Sequence, residues 1–101
     1  MIIIDADCII ANMLLTREHI TICDLNKVKK KIMHKFPNIY VDITKNSIIP
    51  FVNMYNLSWE DDVIKHKEGK YWTKEYVDDC FSWNIPEDIR DDFLKILRSC
   101  N

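Results

Sequence analysis

Asp5 and Asp7, two positions apart near the start of the chain, are the first pair of side chains that could do chemistry together. On one strand they would point the same way about 6.6 Å apart, near enough to share a hard divalent cation and support metal-assisted hydrolysis. Asp42 is a third carboxylate that could join them. The competing reading has Asp5 and Asp7 capping a helix that starts near Cys8. His19 and Cys23, with Cys8 and either Cys80 or Cys100, offer the ligand types of a zinc site. Spacing opposes it: residues four apart on a strand lie about 13 Å apart, beyond two bonds of about 2.0–2.3 Å to one zinc. No CxxC pair occurs, and no His, Asn or Asp is placed to activate one cysteine as a nucleophile. The cysteines are therefore expected as buried free thiols. Gly69 is the only glycine, so P-loop and Rossmann phosphate cradles are excluded. No catalytic residue, metal or cofactor is expected.

The opening MIIIDADCII resembles the first strand of PIN-domain nucleases, in which an apolar run ends in an aspartate that helps hold a divalent metal. Asp5 would be the matching residue. The family also has an acid opening its second helix and further acids late in a longer chain, whereas Asn46 and Ser47 stand at the corresponding place here. Phosphatases of the haloacid dehalogenase class begin with a similar Asp-x-Asp, followed by a small Thr or Gly loop where this chain has Cys8. The PIN resemblance implies, as an alternative function, a metal-dependent nuclease or toxin remnant centred on Asp5 with Asp7 and Asp42.

A second chemistry is recognition by charge. Acids recur as Glu60-Asp61-Asp62, Asp78-Asp79, Glu87-Asp88 and Asp91-Asp92. On a helix after Thr73, Glu75, Asp78 and Asp79 share the outer face, and Asp88, Asp91 and Asp92 repeat that spacing on the last helix. Asp91 can pair with Lys95, but Glu75/Asp79 and Asp88/Asp92 would set like charges one turn apart, at about 0.2–0.5 kcal/mol each. Tyr55, Trp59, Tyr71, Trp72, Tyr76 and Trp83 are interleaved with these acids, and Trp and Tyr anchor interfaces. The expected docking residues are Glu60, Asp61, Asp62, Trp72, Glu75, Asp78, Asp79, Trp83, Asp88, Asp91 and Asp92. Their partner would be a protein with a basic surface, such as a nucleic-acid-binding effector. The basic run Lys27 to Lys31 is read as a solvated helix face, and with three arginines in the chain no sequence-specific nucleic-acid binding is expected.

The elements that must position these residues point to an α+β fold: a small N-terminal sheet of about three strands packed with helices, then a helical C-terminal half. Ile2 to Ile4 reads as a strand, and Ile9, Ile10, Met13 and Leu14 fit one helical face, although a longer β-ribbon over residues 1–24 also fits. His19 to Cys23 reads as a second strand, and Ile39, Val41 and Ile43 mark a third. Asp24 is the expected N-cap of a helix carrying Leu25, Val28, Ile32 and Phe36, stopped by Pro37. Ser47 should cap a short helix with Pro50 in its first turn; Ser58 and Asp61 should cap another, with Gly69 at its end. Thr73 should cap a third, with Tyr76, Val77, Cys80 and Phe81 inside. Asn84 and Pro86 should open the last, with Ile85, Ile89, Phe93, Ile96 and Leu97 along one face.

The 101 residues suit one domain, 1–101, and a composition 48% hydrophobic and 30% charged is that of a globular chain. The net charge of −2 is divided as +2 over residues 1–50 and −4 over 51–101. No basic leader follows Met1 and no run approaches the ~20 apolar residues of a membrane span, so a cytoplasmic protein is expected, with reduced cysteines. Heavy use of Ile, Lys and Asn points to an AT-rich genome. In character the chain looks like the small inhibitors, anti-CRISPR proteins among them, that phages and mobile elements direct at host defence. It is therefore expected to be a non-catalytic inhibitor that binds through its acidic C-terminal helices, the alternatives being the nuclease or toxin remnant above and a structural, self-associating protein.

Overall fold

The computed structural model describes residues 1–67 and 71–99. The chain is α+β: among the described residues the elements run in the order β1 (Ile2–Asp5), α1 (Ala6–Leu14), β2 (His19–Thr21), α2 (Ile22–Lys35), β3 (Ile39–Asp42), α3 (Lys45–Met54), β4 (Leu57–Glu60), β5 (Val63–His66), α4 (Lys74–Cys80) and α5 (Arg90–Leu97). The strand, helix, strand order of the first segment is the one observed, but the strands form two sheets. β1 and β3 pair in parallel with Ile2 beside Ile39 and Asp5 beside Asp42, while β2, β5 and β4 form an antiparallel sheet in that order. Parallel neighbours need a crossover, and α1, β2 and α2 supply it.

The core is built around α1. Every residue from Cys8 to Leu14 is buried, not one face alone, because the helix runs through the middle of the domain and meets α3, α4, α5 and β2. Ile4, Ile39 and Val41 of the parallel strands and Leu25, Val28 and Ile32 of α2 belong to the same buried core. No helix among the described residues is long and apolar enough to cross a membrane.

Several boundaries differ from expectation for local reasons. α2 begins at Ile22, which shortens β2: Thr21 is the N-cap, its hydroxyl accepting the Asp24 N–H at 3.0 Å, and Asp24 is the N3 member of a capping box, accepting the Thr21 N–H at 2.9 Å. In α3 the same relation puts Thr44 at the N-cap and Ser47 at N3, so Pro50 lies inside the helix rather than in its first turn. Ser58 and Asp61 cap no helix. They lie in a β-hairpin whose two-residue turn, Asp61-Asp62, has φ of 52° and 62°, the double left-handed turn whose twist suits paired strands and which Asp tolerates. The expected cap at Gly69 falls outside the described residues. Thr73 does cap α4, accepting the Tyr76 N–H at 3.1 Å, but only Val77 and Phe81 turn inward, while Tyr76 and Cys80 are exposed. Asn84, Pro86 and Asp88 lie in turns ahead of α5, which starts only at Arg90.

Candidate functional site

The acids expected to dock a partner are spread over the β4–β5 hairpin, α4, and α5 with the turn before it. Glu60 ends β4 and Asp61 and Asp62 form the hairpin turn, all exposed, where the Asp62 carbonyl accepts the Ile22 N–H at 3.1 Å. Glu75 and Asp79 are exposed on α4, and Asp91 and Asp92 in the first turn of α5. Asp88 precedes the helix, so the Asp88/Asp92 repulsion at helical spacing is absent, and Asp91 forms no ion pair with Lys95 among the described residues.

Trp72 and Trp83 separate sharply. Trp72 is half-buried, its ring edge-on to His66 at 4.7 Å and tilted on Phe81 at 5.2 Å, with Tyr55 and Phe51 beyond, so it closes one edge of the core instead of standing free. Burial in this aromatic cluster lowers the His66 pKa below the ordinary imidazole range. Trp83 is 70% exposed. Its backbone is nevertheless held: Arg90 donates from Nη2 to the Trp83 carbonyl at 3.2 Å, and from Nη2 and Nε to the Ile85 carbonyl at 2.6 and 3.2 Å. A large indole thus projects from a fixed loop, with Asp79 four positions before it and Glu87 four after.

Asp78 was expected on the open acidic face, and the structure gives it an internal task. Its carboxylate pairs with Arg98 and with Lys74, the latter at 3.2 Å. Burial works upward on its pKa, but hydrogen bonds from Arg98 and Lys74 and their charges outweigh it and hold the carboxyl below its usual range. Arg98 donates from Nε to Asn12 Oδ1 at 3.0 Å, and Asn12 Nδ2 donates to the Cys8 carbonyl and to Ser82 Oγ, both at 2.8 Å. Ser82 Oγ in turn donates to the Val77 carbonyl at 3.3 Å. A polar line therefore runs from the surface to the centre of the core and ties α1, α4 and α5 together. The only sequence signal for it was Asn12, a polar residue within the apolar run from Cys8 to Leu15.

Asp5 is the N-cap residue of α1 but its side chain makes no capping bond, and Asp7 lies in the helix, not on the strand. Asp7 Oδ1 accepts the Cys8 N–H at 2.7 Å. Burial, with a smaller push from the charge of Asp5, raises the Asp7 pKa against that hydrogen bond. Asp5 and Asp42 end neighbouring parallel strands side by side, and with Asp7, Ser47, Phe51 and Tyr55 they line an open crevice of about 260 Å³ against α3. Among the described residues no group of three His, Cys, Asp or Glu stands close enough to hold a metal ion. Of the described cysteines only Cys8 is buried; Cys23 and Cys80 are exposed, contrary to expectation, and Cys100 lies outside the described residues. Burial, then the charge of Asp7, pushes the Cys8 thiol up to about 12. Comparison with protein-family models, curated proteins and solved structures finds no match.

Proposed function

We propose that the chain is a non-catalytic binding protein that docks on a basic protein surface through the α4–α5 region, with Trp83 as its anchor. The carrying observation is the exposed indole on a backbone clamped by Arg90. A side chain already fixed at its base loses less freedom on binding, and tryptophan is the residue type that most often dominates interface energetics. Asp79, Glu87, Asp88, Asp91 and Asp92 lie close to it in sequence, and residues 51–101 carry −4, so the complement is cationic, as on proteins that bind nucleic acid. A phage or mobile-element inhibitor of host defence, such as an anti-CRISPR protein, is the role that this binding mode and the AT-rich composition support.

A partner recovered from the native host and carried to a biosensor tests this. Trp83→Ala should speed dissociation and cost about 2 kcal/mol or more, with little change in salt dependence. Replacing Glu75, Asp79, Asp88, Asp91 and Asp92 by their amides should instead slow association and flatten the salt dependence. Asp78 is left in place because it holds Arg98. If both variants bind that partner as the parent does, the docking surface is elsewhere.

One observation favours a second reading, a metal-dependent nuclease related to the PIN domains: the parallel register that seats Asp5 beside Asp42 at the carboxyl ends of β1 and β3, where α/β folds place their ligands. The incomplete ligand set puts it second. Cleavage of RNA or DNA with Mn²⁺ that persists through repurification and vanishes in Asp5→Asn would reverse the order.

A further inference from the structure

A further concavity shares no lining residue with either site described above. It is an open cleft of about 740 Å³ between the α1–β2 loop, the first half of α2 and the end of α5. Its cationic lining comes from two elements: Arg17 from the loop, and Lys27 and Lys31 one turn apart on α2, with the His19 imidazole of β2 beside them. Thr16 and Ser99 add hydroxyl groups, and Val28 and Ile96 add an apolar wall.

Two of its charges are already placed. Arg17 is half-buried and donates from Nη2 to the Ser99 carbonyl at 3.1 Å, which fixes the guanidinium at the cleft while its other N–H groups meet no acceptor among the described residues. Asp24 is one of the two acids in the same lining. Its carboxylate is spent on the Thr21 N–H in the capping box, and that hydrogen bond, helped by the Thr21 hydroxyl and by lesser pulls from the charges of Arg17 and Lys27, outweighs burial and holds its pKa below the usual range. Glu18 is exposed. Lys27 and Lys31 form no ion pair or hydrogen bond among the described residues. Cationic groups thus exceed the acids in the lining, in a chain whose net charge is negative.

We infer that this cleft binds a small phosphorylated molecule of nucleotide size. A guanidinium held by a carbonyl presents a planar fork that matches phosphate oxygens, and paired lysines supply point charges for the remainder of a polyanion. The volume is that of a pocket for a ligand of a few hundred daltons, and Val28 with Ile96 gives a base or other flat group an apolar surface. A nucleic-acid strand fits less well. The acidic half of the chain repels a long polyanion, and the cations stand at one cleft rather than along a track.

The test is a calorimetric titration of the whole chain with ATP, AMP, pyrophosphate and inorganic phosphate, at low and near-physiological salt. ATP or AMP should bind saturably in the range of about 10 µM to 1 mM. Lys27→Glu/Lys31→Glu, with both positions exposed, should weaken that binding at least about tenfold while leaving the thermal midpoint close to the parent's, and Arg17→Gln should weaken it comparably. Lys30→Glu/Lys45→Glu makes the same change in net charge outside the cleft and should leave binding within about twofold of the parent. An equal loss in the control variant would reduce the effect to general charge attraction and overturn the inference. So would tighter binding of a single-stranded oligonucleotide than of any mononucleotide, or no saturable heat with any of the four probes.

Discussion

Replacing Asn12 by leucine, which is apolar and of similar size, tests whether the polar line through the core is a working part of the fold. The substitution removes the acceptor of Arg98 Nε and the donor to Ser82 Oγ, together with a second bond to the Cys8 carbonyl, at a position with no solvent access to replace them. The lost bond to a charged guanidinium is worth about 1.5–3 kcal/mol and the bond to Ser82 about 1 kcal/mol, while Ser82 keeps its bond to Val77. Burying leucine carbons in place of the amide returns about 1–2 kcal/mol. The expected net loss is about 2 kcal/mol, from a total of about 5–15 for a domain of this kind. With a urea slope of about 1–2 kcal/mol/M, the midpoint should fall by roughly 1–2 M. The partners specify the second measurement. In an Arg98→Met background no guanidinium is left without its acceptor, so Asn12→Leu should cost about 1 kcal/mol less there. A loss under about 0.5 kcal/mol, or losses that simply add, would show that the line contributes nothing as a unit.

Two further outcomes follow from local geometry. Asp62→Gly should stabilise the protein by about 0.5–1 kcal/mol in urea unfolding, because glycine takes the left-handed φ now forced on aspartate and completes the favoured Asp-Gly hairpin turn; a loss of stability would contradict the turn assignment. In brief thiol labelling followed by intact mass, Cys23 and Cys80 should react while Cys8 stays unmodified until urea unfolds the chain, since burial both shields its thiol and pushes it up to about 12; rapid modification of Cys8 in folded protein would mean that α1 is not the core helix.

Much of the fold was legible because it is local. Apolar spacing marks α2, and β-branched runs mark β1 and β3. The errors have local causes too. Thr21 and Asp24 are both good caps, and which one is the cap depends on whether Ile22 ends a strand or opens a helix, a choice made when β2 pairs with β5. Glu60-Asp61-Asp62 has the composition of a first helical turn, and only the pairing of Leu57–Glu60 with Val63–His66 makes it a hairpin turn.

The candidate sites were less legible, because each is a meeting of distant residues. Asp78 looked like one more exposed acid, and nothing within a helical turn of it in sequence announces Arg98, twenty positions on. That pairing changes the argument about charge. Once Asp78 is tied to Arg98 and Lys74, and Asp88 lies outside α5, the acids no longer form two crowded helical faces whose repulsion asks for a cationic partner. Of the two like-charge pairs expected at helical spacing, Glu75/Asp79 alone remains, at about 0.2–0.5 kcal/mol, too little to carry a functional claim. What replaces it is a feature that charge counting could not find: an indole left in water on a loop that Arg90 has gone to the trouble of fixing. A solvated acidic face explains the carboxylates without explaining that tryptophan, and so the docking proposal stands or falls with Trp83 rather than with the acids that first suggested it.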